Sequence, residues 1–151
     1  MENELDQIFE VYDNLYIGAY WPRLNFEKFK KIGITAIVNL MQYNYYDPRP
    51  LGFAYLYKGF PDESYPPHDY IRDVLNFIDE QIKKGKVLVH CAMGISRSAG
   101  LIIAWLLKEH PDWTWSDAMK HVEKTKSIYP AVEIKEAVLD YLEKIEGKRR
   151  E

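Results

Sequence analysis

At 151 residues the chain is sized for one domain, 1–151, with a sizeable core. Its 47% hydrophobic and 28% charged content is ordinary for a soluble globular protein, and a formal net charge of −3 argues against general nucleic-acid binding. The single cysteine excludes an intramolecular disulfide, the acidic stretch Met1–Asp6 lacks the apolar centre of a signal peptide, and the apolar run Leu101–Leu107 is too short to span a bilayer; a reducing, cytoplasmic setting without membrane association is expected.

In chain order, Phe9–Gly18 alternates apolar and polar residues around an Asp13-Asn14 turn, which predicts two short strands, the first at an edge. Asn25 caps a short predicted helix, Phe26 to Lys31, ended by Gly33. Ile34–Leu40 is a rich β segment, expected as a parallel central strand. A Pro- and Tyr-rich loop, Tyr43–Pro50, leads to a strand over Phe53–Tyr57, and a second Pro-rich loop, Gly59–Pro67, leads to a helix from Asp69 or Tyr70. In that helix Ile71, Val74, Leu75, Ile78 and Ile82 fall at helical spacing, and Gly85 ends it. A strand begins at Lys86 and a helical pattern runs from Ala99 through Leu107. Thr114 or Ser116 caps the next helix, and a final amphipathic helix runs from Val132 to Ile145. Strands interleaved with helices predict a three-layer α/β domain with a central, mainly parallel sheet flanked by helices.

Between the Lys86 strand and the Ala99 helix lies a tight loop holding the only cysteine, Cys91, with Gly94, Ser96, Arg97 and Ser98. Such a strand–loop–helix passage binds anions: loop N–H groups and the helix N-terminus face inward, and Arg97 adds a planar, permanently charged fork. A site that favours a dianion also favours a thiolate. A thiolate facing bound phosphate implies nucleophilic phosphoryl transfer through a thiophosphoryl intermediate.

His90-Cys91-Ala92-Met93-Gly94-Ile95-Ser96-Arg97-Ser98 matches His-Cys-x-x-Gly-x-x-Arg-Ser/Thr, so the chain resembles the cysteine-dependent protein tyrosine phosphatases. Asn14–Gly18 and Lys31–Leu40 resemble the opening strand and helix-to-strand passage of the dual-specificity branch, which extends the resemblance from about Val11 past Arg97. It implies a metal-independent protein phosphatase that needs no cofactor and hydrolyses phosphotyrosine in phosphoproteins, with phosphoserine and phosphothreonine left open as further substrates; a monomer is expected. Cys91 is then the nucleophile. Arg97 and the loop residues Ala92, Met93, Gly94, Ile95 and Ser96 bind the phosphate, and Ser98 stabilises the departing sulfur. In the family the residue at His90 holds the loop; a general-base His90 is the alternative.

Cleavage of a phosphate ester needs a general acid, and a carboxyl on a loop is the usual donor. Asp62, in Phe60-Pro61-Asp62 and 29 residues before Cys91, is the candidate, since Phe-Pro-Asp resembles the Trp-Pro-Asp of the tyrosine-specific branch. Glu63 and Asp69 are the alternatives, with Asp69 also a possible helix cap. Rate is expected to follow a bell in pH, set by ionised Cys91 and protonated Asp62. Tyr43, Tyr45 and Tyr46 are placed beside an aromatic substrate and Arg49 at the rim, with a solvated aromatic loop as the plainer reading. Trp105, Trp113 and Trp115 are assigned to packing, and Lys148-Arg149-Arg150 to a helix end whose cations suit the dipole.

Dual-specificity members carry an Arg-Pro followed by Asn and Gln after the catalytic helices, whereas Ser127-Ile128-Tyr129-Pro130-Ala131 has neither that Arg nor a Gln. The group that orients the hydrolytic water is therefore left open. Competing readings are a phosphate reader without turnover, a phosphatase of phosphoinositides or RNA 5′-phosphates, and a sulfurtransferase. Neutral Ala92, Met93 and Ile95 favour phosphoprotein over the polyanionic substrates.

Overall fold

The computed structural model describes residues 8–20 and 24–151; the acidic opening stretch Met1–Asp6 lies outside them. β1 (Ile8–Tyr12) and β2 (Leu15–Ala19) pair antiparallel through a turn in which Asn14 takes φ 66°, a left-handed conformation that Asn tolerates. β3 (Ile34–Asn39), β4 (Ala54–Tyr57) and β5 (Lys86–Cys91) complete one sheet in the order β1-β2-β5-β3-β4, parallel from β2 onward. β5 is thus the central strand, and the predicted mainly parallel sheet is what forms.

Helix α1 (Phe26–Ile32) covers one face, where Phe29 packs with Tyr16, Ile34, Ile37 and Leu88. The opposite face carries Leu15, Ile17, Ala36, Val38, Val87 and Val89 under the larger core built by α2 (His68–Gln81), α3 (Arg97–Glu109), α4 (Trp115–Glu123) and α5 (Val132–Glu146). Strict alternation would put Ile34 and Ala36 on the same face. The register shift between them, against Lys86 and Val87, adds one residue and sends them to opposite cores.

The caps follow the sequence reading in two cases. The Asn25 side chain accepts from the Lys28 N–H, and Gly33 closes α1 at φ 104°. Thr114, rather than Ser116, caps α4 through a reciprocal capping box with Asp117. α2 begins earlier than expected, at His68, with Pro67 at the cap position; Asp69 sits in the first turn and is not the cap. α3 likewise begins at Arg97, two residues before its apolar pattern, because the first turn serves the loop rather than the core. Ile145 is 52% exposed, so the packed stripe of α5 stops at Leu142.

The tail corrects a larger reading. Arg150 is no solvated helix end: it is 3% exposed and donates to the carbonyls of Leu107, His110 and Trp113 while pairing with Glu146 at 2.8 Å. It closes the C-terminal end of α3, where orphan carbonyls need donors. Arg149 pairs with Glu136, Asp140 and Glu143 on α5. Arg150→Ala would leave those carbonyls and a half-sheltered carboxylate without a partner, and is expected to destabilise the fold by roughly 3–5 kcal/mol. Chemical denaturation of the variant beside wild type checks this; a loss under about 1 kcal/mol contradicts it.

Candidate active site

The pleat of β5 decides which side chains share the site. Successive residues point to opposite faces, so Cys91 joins Val87 and Val89 on the face of α3 while His90 turns to the face of α1. Cys91 ends the central strand, at the carboxyl edge where open α/β sheets take ligands. The chain then turns through Gly94 at φ 73°. A side chain there would meet both an unfavourable backbone and the Gly18 carbonyl oxygen, which a Cβ would approach at 2.7 Å. The Tyr20 N–H, just past β2, donates to the carbonyls of Cys91 and Ala92 and holds the outer side of the turn.

Cys91 is 2% exposed, and its sulfur accepts from the Gly94 N–H at 3.3 Å and shares a hydrogen bond with the Ser98 hydroxyl, also at 3.3 Å, in which a thiolate would be the acceptor. Both are the partners a thiolate needs. Arg97, 8% exposed, opens α3 and points its Nη1 back across the sheet edge, donating to the carbonyls of Phe60 at 2.9 Å and Leu40 at 3.4 Å. Its Nε is buried and has no partner among the described residues. A buried charged donor left empty is costly, and here it belongs to a side chain that lines a cavity. Ser96, at the cap position of α3, does not cap the helix; its hydroxyl is turned elsewhere, which leaves the first-turn N–H groups without a side-chain partner.

The cavity, about 470 Å³, is lined by three stretches of chain: Cys91, Met93, Ile95, Ser96 and Arg97 of the loop, then Asp62 and Glu63, and as a third wall segment Tyr129, Ala131, Val132 and Glu133. Asp62 therefore stands at the site with the loop, as the sequence reading placed it, and Asp69 does not. Its Oδ1 accepts from the Ser96 hydroxyl at 2.7 Å and from the Glu63 N–H at 2.9 Å. The loop that carries it is tied to the body at Tyr65, whose hydroxyl donates to Asp140 on α5; burial first and then that carboxylate push the Tyr65 phenol up to about 12. The third wall was not foreseen. The Tyr129 N–H donates to the Ile95 carbonyl at 2.7 Å and the Ala131 N–H to the Ser96 hydroxyl at 3.1 Å, which docks the segment lacking the expected Arg-Pro directly onto the loop.

His90 is fully buried and lies outside the cavity lining. Its Nδ1 faces the Cys91 carbonyl at 3.3 Å, which can only accept, so Nδ1 carries the proton and Nε2 accepts from the Tyr46 hydroxyl. Burial, reinforced by the neighbouring Tyr55, drives the Tyr46 phenol far above the usual tyrosine range, so it remains a donor. Neither ring nitrogen is free to act as a base at the sulfur. Tyr46, in contact with His90, Phe26 and Tyr55, is thus a support for the loop rather than a flank of the substrate. Tyr43 and Tyr45 are exposed away from the cavity walls, and Arg49 is bound to Asp47 at 2.8 Å, holding that carboxyl down to about 2, so it adds no charge at the rim.

Burial, with the Arg97 charge adding to it against the opposing Cys91 carbonyl, lowers the His90 imidazole from 6.5 to about 4. Between those values the unfolded chain binds the proton that the folded chain refuses. The stabilisation is full above 6.5 and is lost as pH falls toward 4, by roughly 3 kcal/mol in all. Melting temperatures of wild type and His90→Gln across that window check this: the wild type is expected to fall more steeply, and parallel curves contradict the assignment.

The sequence of residues 15–144 matches the family model for the dual specificity phosphatase catalytic domain. Among curated proteins, Protein phosphatase Slingshot of Drosophila melanogaster is 32% identical over 128 residues, which cover 82% of this chain but 12% of that protein. Dual specificity protein phosphatase 13B of Mus musculus is 32% identical over 143 residues, covering 83% of this chain and 68% of the relative. Among solved structures, the human tyrosine phosphatase-like serine/threonine/tyrosine-interacting protein superposes with a TM-score of 0.80 at 27% identity, covering 93% of this chain and 98% of the other. With the family model matched from β2 through most of α5, the chain belongs to the dual specificity phosphatase catalytic-domain family.

Proposed function

We propose that the chain is a protein phosphatase that works through a cysteinyl-phosphate intermediate. The observation that carries this reading is the buried Nε of Arg97, without a partner among the described residues, on a side chain that lines one cavity together with Cys91. A phosphate oxygen supplies the acceptor that Arg97 lacks and brings phosphorus to the sulfur. The Cys91 thiolate attacks phosphorus, the bond from phosphorus to the ester oxygen breaks, and Asp62 passes its proton to that oxygen as it leaves. Asp62, now a carboxylate, takes a proton from water as the water attacks the thiophosphoryl group. The sulfur–phosphorus bond breaks, inorganic phosphate departs, and the Ser98 hydroxyl donates to the returning thiolate. Both reacting groups are side chains of the chain itself, so the reaction needs no metal or cofactor.

Phosphoprotein is the substrate class this cavity suits. Asp62, Glu63 and Glu133 stand around it, and among the described residues Arg97 is the one cation in its lining. A mouth of that sign repels the several phosphates of an inositol headgroup or an RNA 5′-triphosphate, and it gives no hold on a nucleic-acid backbone. Among the described residues no helix is long and apolar enough to cross a membrane. We place the enzyme as a cytoplasmic monomer. One structural relative is described as phosphatase-like and interacting, which keeps binding without turnover as the second reading; Asp62 held within reach of the loop favours turnover.

Asp62→Asn tests the assignment. With a chelator present throughout, it is expected to lower kcat on a phosphoserine peptide by about 10²–10⁴-fold, and much less on an aryl phosphate whose leaving group needs no proton. Full turnover of the peptide by Asp62→Asn removes Asp62 from the acid role.

A further inference from the structure

We infer that Ser96 is a positioning residue that fixes which oxygen of Asp62 carries the transferable proton; this rests on the reading of Asp62 as general acid. Ser96 is 7% exposed, and both of its hydrogen-bonding functions are assigned by its neighbours. The Ala131 N–H donates to the hydroxyl oxygen at 3.1 Å, so the hydroxyl proton points the other way, to Asp62 Oδ1 at 2.7 Å. The Glu63 N–H donates to the same Oδ1 at 2.9 Å. An oxygen already accepting two hydrogen bonds is a poor place for a proton, so the acid proton resides on Oδ2.

The backbone supports the same arrangement. Glu63 takes φ 57°, a left-handed conformation that costs a residue with a side chain, and it is this twist that accompanies the Glu63 N–H lying on Asp62 Oδ1. Ser96 is also the residue at the cap position of α3 whose side chain makes no capping bond. A serine there ordinarily satisfies its own helix. Here it joins three separate segments: the phosphate loop, the acid loop 34 residues earlier, and the start of α5 at Ala131, 35 residues later. The segment 127–131, which has no Arg to orient water, is thereby coupled to the general acid through one hydroxyl.

The consequence is specific to leaving groups. Losing the Ser96 hydroxyl lets the Asp62 carboxyl rotate and places the proton on either oxygen, which matters only where the leaving oxygen must be protonated. The experiment measures kcat and KM for Ser96→Ala, Ser96→Thr, Ala131→Pro and Asp62→Asn on a phosphoserine peptide and on p-nitrophenyl phosphate. Ala131 has φ −61°, which proline shares, so that substitution removes the N–H that orients Ser96 while leaving the serine in place. In Ser96→Ala the ratio of kcat on the peptide to kcat on the aryl phosphate is expected to fall about tenfold, with the change in kcat rather than KM; Ala131→Pro lowers the ratio about threefold, and Ser96→Thr restores it. An unchanged ratio in both Ser96→Ala and Ala131→Pro, with Asp62→Asn still selective for the peptide, overturns the role of Ser96 alone. An unchanged ratio in Asp62→Asn as well overturns the Asp62 reading together with it. Should Ser96→Ala fail to fold, Ala131→Pro decides the matter by the same ratio.

Discussion

Cys91→Ser is expected to lower kcat on any phosphate monoester by about 10⁴-fold or more while leaving phosphopeptide binding in place. The effect is large because the serine hydroxyl is a far weaker nucleophile, and His90 cannot activate it. His90, the one histidine adjacent in sequence, is turned to the other face of the sheet with both ring nitrogens engaged. Binding persists because the loop is shaped by other groups: the Tyr20 N–H on the carbonyls of Cys91 and Ala92, the Gly94 turn, and the Arg97 guanidinium. Equilibrium binding of a phosphotyrosine peptide to the variant, beside steady-state turnover, separates the two. Turnover surviving within tenfold of wild type contradicts the assignment of the nucleophile, and lost binding with retained folding contradicts the division of roles.

Arg97→Lys is the second large effect, expected at roughly 10³-fold in kcat/KM. The guanidinium does two tasks that an ammonium cannot do together. One terminal nitrogen is fixed on the Phe60 and Leu40 carbonyls, and the orphan Nε remains for the ligand. The first of these contacts reaches the backbone two residues before Asp62, so on the proposed mechanism Arg97 would hold the acid loop as well as the phosphate. A lysine offers one compact charge and no planar fork, so it satisfies the carbonyls or the phosphate. The check is kcat/KM on an aryl phosphate together with the melting temperature. A loss under tenfold in a folded variant contradicts the role.

How far the sequence carried the account depended on how local each feature is. The motif His90–Ser98 lies within nine residues, and strand, turn and helix follow one another, so the placement of Cys91, Ser98 and the Gly94 turn was legible. The caps at Asn25 and Thr114 are equally local. Asp62 was legible by resemblance, but its partner was not: Ser96 reads as one more small residue in a loop until the fold brings the acid loop and α5 against it. Tyr46 sits in a run of similar tyrosines, and only the pleat that sends His90 toward α1 distinguishes it from exposed Tyr43 and Tyr45. Arg150 shows the same limit from the other side. In sequence it is one cation in a charged tail, and its burial follows from α3, α4 and α5 converging to leave the carbonyls of Leu107, His110 and Trp113 facing one point.

If phosphate passes through the sulfur of Cys91, the mass of the protein quenched in acid during turnover of an aryl phosphate records it. Wild type is expected to carry one added phosphoryl group on the peptide containing Cys91, absent in Cys91→Ser, and to release a first equivalent of the aryl alcohol in a burst wherever hydrolysis of the intermediate is the slower step. Turnover by wild type with no adduct at Cys91 on the quench timescale, and the same rate in Cys91→Ser, contradicts the account.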